Sequence, residues 1–224
     1  FPEGDWASQL AAPDLKGMRI GVLREMIGEA KDPEVMAAFE QAVADLKAGG
    51  ALIVDPVLTG TNLREFSNSD ITGTTHPFEL VPASNAYLRR LGSDRPYKTI
   101  QDMFEAAGME NAHPRYITGM SLPSPETIPE YVGRQKLRTA LTELVEAKMD
   151  EFGLDAFVLP YRTLPPPAIS TGSTYRREDW NNRTSVTGLP GISVPGGYTS
   201  ETLPVVFQFV GKRLDDFTLL EVDN

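Results

Sequence analysis

Residues 185–213 read SVTGLPGISVPGGY followed by TSETLPVVFQFVGKR. Ile192-Ser193-Val194 is a short β-type run, and Val205 to Val210 is a second, led in by Pro204. Proline fixes φ and glycine permits φ > 0, so Pro195-Gly196-Gly197 is expected to break the first run. The whole stretch should then fold as strand, turn, strand. Ser193 lies inside an apolar run, where a buried hydroxyl bonded to backbone is the ordinary outcome. Ser200 lies in a turn that needs polar residues in any case. The stretch reads as frame rather than as chemistry.

Working outward from it, the same alternation of short strands and helices recurs. Lys16 to Leu23 is a compact β-type segment. Asp32-Pro33-Glu34 then opens a helix with an acceptor at the N-cap, proline at the first helical position and an acid in the first turn. Val35, Phe39, Val43 and Leu46 recur at helical spacing, and Gly49-Gly50 supplies a stop. Ala51 to Val54 is another apolar strand, so the first part of the chain is a βαβ-like unit that favours α/β layers.

Residues 77–91 and 99–107 read as helices. His76 and His113 each precede a proline, which biases them away from helical geometry. Ser124-Pro125-Glu126 is expected to start a long helix with the apolar stripe Leu137, Leu141, Leu144, Val145, Met149 and Phe152, ended by Gly153. Asp155 to Leu159 is a buried-type strand followed by the turn-rich stretch 160–167. A polar loop with Arg176-Arg177-Glu178-Asp179 leads back to the opening segment, and Asp215-Asp216 start a final helix.

The 224 residues are 41% hydrophobic and 23% charged, the balance of a soluble globular chain able to bury a core. A net charge of −10 argues against a nucleic-acid partner, whose phosphates would be repelled. No apolar run approaches the roughly 20 residues needed to span a bilayer, so no membrane partner is expected. The chain has no cysteine, which removes disulfides, thiol nucleophiles and zinc–thiolate sites and fits a reducing compartment; a cytoplasmic setting is expected, with a periplasmic one as the alternative. It starts with Phe1 rather than Met and stops a few residues into a helix, and it reads as a piece of something longer.

Chemistry-bearing motifs are scarce. No G-x-G-x-x-G follows a strand, and Gly211-Lys212 has no upstream glycine at P-loop spacing. Two histidines, at 76 and 113, do not make an H-E-x-x-H, and each reads as a surface or capping residue. Asp215-Asp216 could be an acid/base pair, but adjacent residues diverge on a helix, and a helix N-terminus accounts for both. Ser67, Ser69, Ser170, Ser173, Ser185, Ser193 and Ser200 are the serine candidates, but neither G-x-S-x-G nor S-x-x-K is present. Asn182-Arg183-Thr184 is formally a glycosylation sequon, which matters only in a eukaryotic secretory protein.

Taken together, Thr187-Gly188-Leu189-Pro190-Gly191-Ile192-Ser193-Val194-Pro195, then Leu203-Pro204-Val205 and Gln208-Phe209-Val210-Gly211, resemble the C-terminal region of amidase signature enzymes. Asp14 to Val22 resembles the family's D-L-K-G-L-R-I-G-V segment, and Asp155 to Pro160 its D-A-L-V-x-P strand. Asp215, Asp216, Leu219 and Leu220 match the acidic helix start with L-L.

The resemblance implies an α/β fold: a single large domain with a mixed, twisted central sheet flanked by helices, of which residues 1–224 would be the C-terminal portion with no internal boundary. It implies hydrolysis of amides without metal or cofactor. A lysine, a bridging serine and a nucleophilic serine would form the triad, with backbone amides holding the oxyanion. In the family that triad lies in the N-terminal half. No Gly-Gly-Ser-Ser-Gly-Gly element occurs here, and none of the seven lysines matches the catalytic one. No catalytic residue is therefore assigned.

Tyr161, Arg162, Asn182 and Thr184 are the residues the resemblance points to for lining substrate space, with loop packing as their alternative role. Tyr161 stands where the family often has threonine. The expected partners are a small-molecule amide substrate and the missing N-terminal half or a companion chain. The competing reading is a non-catalytic binding or scaffold remnant of the same fold.

Overall fold

Asp32 shows how local chemistry sets the first layer. Its carboxylate accepts from the backbone N–H of Glu34 (2.8 Å) and Val35 (3.1 Å) and caps helix α1, Pro33–Ala48. Pro33 sits at the first helical position as the sequence dictates. Strand β1 (Arg19–Val22) precedes this helix and β2 (Leu52–Val54) follows it, and the two pair in parallel, which completes a βαβ unit. The computed structural model describes residues 15–61, 63, 75–166 and 187–223.

The chain divides into two compact units, Phe1–Ser67 with Thr139–Asn224, and Asn68–Arg138. The first is built on a five-stranded sheet of order β2-β1-β3-β5-β4, with β3 at Ala156–Pro160, β4 at Gly191–Tyr198 and β5 at Pro204–Val210. β1 and β3 are parallel, while β5 runs antiparallel to both β3 and β4, so the sheet is mixed.

Strand β3 is buried along its whole length, because the two faces of the sheet carry separate cores. Ala156 and Val158 face one way with Ile20, Val22, Phe207 and Phe209, against Val35, Phe39 and Val43 of α1 and Leu219 and Val222 of α6 (Asp216–Asp223). Phe157 and Leu159 face the other way with Val210, against Leu141, Val145 and Met149 of helix α5, Pro129–Phe152. Each fully buried side chain of this size contributes about 1.5–3 kcal/mol by leaving water. The mixed sheet flanked by helices is the architecture expected from the sequence.

Two ion pairs fasten the turn after β5 to α5. Arg213 donates from Nε and Nη2 to the carboxylate of Glu146, and Lys212 Nζ meets Asp150 at 2.5 Å. The Arg213 hydrogen bond holds the Glu146 carboxyl below the usual range.

The opening stretch departs from its reading at one point. Pro195-Gly196-Gly197 does not end the strand: β4 runs on to Tyr198 through a bulge between Pro195 and Gly197, and the turn falls at residues 199–203. The reason is packing. A Cβ on Gly196 would lie 1.8 Å from Cε2 of Phe207, so the ring of Phe207 lies over the glycine, and it stacks tilted on Phe39 at 5.5 Å. Pro195 is tolerated because β4 is the last strand of the described sheet. Ser193 is likewise corrected: it is exposed, not buried, because alternation turns Ile192 and Val194 toward the core and Ser193 away.

The second unit is helical: α2 (His76–Arg90), α3 (Ile100–Ala107) and α4 (Pro114–Met120), with the start of α5. Thr99 and Asp102 form a capping box at the head of α3, and Asn85 Oδ1 accepts from Ile100 N–H at 2.8 Å. Gly119 lets α4 approach α2, since a Cβ there would meet Val81 Cγ2 at 2.9 Å. Glu79 is the polar hub: it accepts from Thr75 Oγ1 (2.6 Å), Tyr131 OH (3.0 Å) and Gln135 Nε2 (2.9 Å).

Two sequence expectations fail in this unit. Residues 125–127 make only a 3₁₀ turn, and the long helix starts at Pro129 because a second proline re-sets the first helical position. His76 is not kept out of helical geometry but opens α2, where Pro77 falls in the first turn and costs no hydrogen bond.

Candidate functional site

The candidate site lies beyond the carboxyl ends of the parallel strands β1 and β3, the side of an open α/β sheet where ligands bind. Pro160 ends β3, and the Tyr161 N–H donates to Val206 O at 3.1 Å, which carries the β3–β5 ladder one residue further. Arg162 follows, and both side chains are half-buried. Thr163 is fully buried: its Oγ1 donates to Ala30 O at 2.7 Å, and its carbonyl accepts from Asp32 N–H at 2.8 Å. Those two bonds lock the residues after β3 onto the loop that enters α1, so Tyr161 and Arg162 are presented from a fixed backbone. Asn182 and Thr184 lie outside the described residues, as do Ser67, Ser69, Ser170, Ser173 and Ser185 and the Arg176–Asp179 loop.

Around this edge the charged groups are paired with one another. Arg24 donates to both Glu40 (2.5 Å) and Asp55 (2.6 Å), and those bonds hold the guanidinium firmly charged and the Glu40 carboxyl below its usual range. Glu25 accepts the Thr59 N–H at 2.8 Å and its hydroxyl at 2.5 Å. Ser200, a nucleophile candidate by residue type, donates its hydroxyl (2.7 Å) and its N–H (2.6 Å) to Glu34, whose carboxyl is lowered by that hydroxyl bond first. A serine hydroxyl committed to a low-pKa carboxylate has no base of suitable strength, so the pair anchors the β4–β5 turn to α1 and is not catalytic. His113 caps α4, with Nδ1 accepting from Arg115 N–H at 3.2 Å. Among the described residues, no three of His, Asp or Glu converge in a way that could hold a metal ion. None of the described helices is long and apolar enough to cross a membrane.

One residue at this edge was missed from sequence. Gln208 sits in β5 in register with Leu159 on β3 and Ser193 on β4, so it shares their face of the sheet with Tyr161 and Val206. It is 5% exposed, and its Oε1 has no hydrogen-bond partner among the described residues. The signal was available: a lone polar residue in the middle of the Val205–Val210 run. Nearby, between α5 and the sheet, a cavity of about 20 Å³ is lined by Leu141, Val145, Phe157, Leu159, Leu189 and Val210 among others. It has room for about one water, and apart from Thr187 its lining is apolar, so it reads as a packing gap in the core.

The described residues form a mixed α/β sheet flanked by helices, with Tyr161 and Arg162 at the carboxyl ends of its parallel strands. The family model described as Amidase matches residues 2–220, and the chain belongs to that family. It is 29% identical over 96% of its length to the A subunit of the glutamyl-tRNA(Gln) amidotransferase of Thermosynechococcus vestitus, of which it covers 46%. It is 30% identical to the corresponding protein of Azorhizobium caulinodans, over 93% of this chain and 44% of that one. The chain thus spans about half the length of the curated relatives it matches. Among solved structures, the native peptide amidase of Stenotrophomonas maltophilia superposes with a TM-score of 0.70 at 21% identity, over 98% of this chain and 44% of that one. That likeness shows the fold.

Proposed function

We propose that this chain is the C-terminal portion of an amidase-signature amide hydrolase. The acyl–nitrogen bond of a small amide is cleaved by a Ser-Ser-Lys triad carried outside residues 1–224, and no cofactor takes part. The observation that carries the reading is the Amidase match across residues 2–220, joined to relatives of which this chain covers only 44–46%. The paired state of Arg24, Glu25, Glu34 and Glu40 supports it, since these groups, among the described residues of this edge, are committed to structural partners.

In this reading Tyr161, Arg162, Asn182 and Thr184 line the acyl side of the substrate space. The two compact units belong to one α/β domain, with the helices of residues 75–138 an excursion between β2 and β3. The pairing of β1 with both β2 and β3 supports that, because strands on either side of the excursion share one sheet. The partner is the N-terminal half of the same fold, on the same or a companion chain, and the setting is cytoplasmic.

Intact mass and N-terminal sequencing of the native gene product test this directly. A product carrying a glycine/serine-rich segment with an upstream lysine, and releasing ammonia or amine from a panel of aliphatic and aryl amides, is the expected result. A native product that begins at Phe1, with no such partner, overturns it.

A further inference from the structure

Thr163 makes more bonds than its place in the core requires. It is fully buried, and valine would fill the same volume with no polar group to satisfy. Its hydroxyl instead donates to Ala30 O at 2.7 Å, while its own carbonyl accepts from Asp32 N–H at 2.8 Å. The side chain and main chain of one residue thus grip the loop that enters α1 at two points, two residues apart. A single bond would leave the backbone free to pivot, whereas two directional bonds fix its orientation as well as its position.

The grip matters because of what it holds. Tyr161 N–H donates to Val206 O at 3.1 Å, so the chain is tied to β5 just before Arg162 and to the α1 entry just after it. Asp32 is itself fixed, since its carboxylate caps α1. The mount is therefore a helix end and not another loop. Of its two ties, the main-chain one is open to any residue at 163, and the hydroxyl one needs threonine or serine.

We infer that Thr163 is a positioning residue for substrate binding in the proposed amide hydrolysis, acting through Tyr161 and Arg162, whose backbone it aims. The inference rests on the proposed reading of the chain, in which those two side chains line the acyl side of the substrate space. Contacts of that kind hold substrate and transition state alike, so losing their aim raises KM and leaves kcat nearly unchanged.

The complete native gene product is the material for the test, with kcat, KM and thermal midpoint measured on the amide it cleaves best. Thr163→Val keeps the shape and removes the donor, and Thr163→Ser keeps the donor. Ser200→Ala is the control, since it releases the β4–β5 turn from Glu34 on the same helix end without touching residues 160–163. Thr163→Val is expected to raise KM about tenfold with kcat within about twofold of the parent. Thr163→Ser should recover most of the KM, and Ser200→Ala should keep the parent KM while its midpoint falls. With Tyr161→Ala and Arg162→Ala both in place, Thr163→Val should raise KM no further, because nothing is left to aim.

An unchanged KM in Thr163→Val overturns the inference, as does a rise that persists in the double background or that Thr163→Ser shares. Thr163→Ala, read in the same way, serves if Thr163→Val does not fold. A parent KM in the Tyr161→Ala/Arg162→Ala protein sinks the site assignment, and the inference with it. A complete product that cleaves no amide sinks the reading of the chain itself, before any variant is made.

Discussion

Phe39 and Glu79 each sit at the centre of one unit, and they are opposite kinds of residue. Phe39 is fully buried, and its ring meets Phe207 at 5.5 Å in a core that runs from α1 through the sheet. Glu79 is half-exposed and gathers three hydrogen bonds from α2's own start and from α5. The helical unit has Ile100, Ala112 and Pro125 as its buried apolar side chains among the described residues, and α2 buries none. One unit is held by area removed from water, which is non-directional and large. The other is held by caps, a polar hub and ring contacts such as Phe104–Tyr116 at 5.2 Å, which are directional and small.

The contrast is open to direct attack. Phe39→Ala should cost about 3–5 kcal/mol and collapse the sheet unit as a whole, read as a large drop in the urea midpoint. A small loss confined to α1 would show that the core is not shared across the sheet. Gly196→Ala comes next: the new methyl must displace Phe207 from Phe39, and about 1–3 kcal/mol is expected in the same titration. Glu79→Ala should remove a similar amount locally. Hydrogen exchange would speed up in residues 75–138 while β1, β3 and β5 keep their protection, and equal loosening of the strands would break the comparison.

Asp32→Ala should cost about 1 kcal/mol through the lost α1 cap, measurable as a lowered thermal midpoint. The smallest effect concerns acid. The hydrogen bond from Arg24 holds the Glu40 carboxyl below its unfolded value of 4.5, so its stabilisation is complete above that pH and is lost as pH falls through the depressed folded value. Glu40→Gln should therefore lower stability at neutral pH by less than about 1 kcal/mol, with the difference from the parent shrinking as pH falls below 4.5 through the depressed folded value.

The same contrast explains what the sequence made legible. Where burial decides, the pattern was enough: the α1 stripe of Val35, Phe39 and Val43, the all-apolar β3 and the Asp32-Pro33-Glu34 cap were each readable and each is found. Where a contact between distant residues decides, it was not. Pro195-Gly196-Gly197 carries every local mark of a turn, and only the ring of Phe207, eleven positions on, makes it a bulged strand. Ser124-Pro125 and Ile128-Pro129 offer two equally good helix starts, and local rules cannot choose between them. Of the candidate site, Tyr161 and Arg162 were suggested by resemblance to a known loop, while Gln208 was read only as part of a family motif and not as a buried polar group. Its meaning depends on which part of the sheet face α5 covers, and no window of sequence reports that.

The neighbours of β1 also set a timetable for synthesis. β2 is within about thirty residues of it, but β3 emerges from the ribosome roughly 100 residues after β2. At ~5–20 residues per second, that leaves one side of β1 unpaired for roughly 5–20 s. The helical segment made in that interval holds mostly short-range contacts and can form early, whereas the sheet must wait for its third strand. A nascent chain stalled between residues 60 and 150 would expose an apolar strand edge, and chaperone capture should peak in that window.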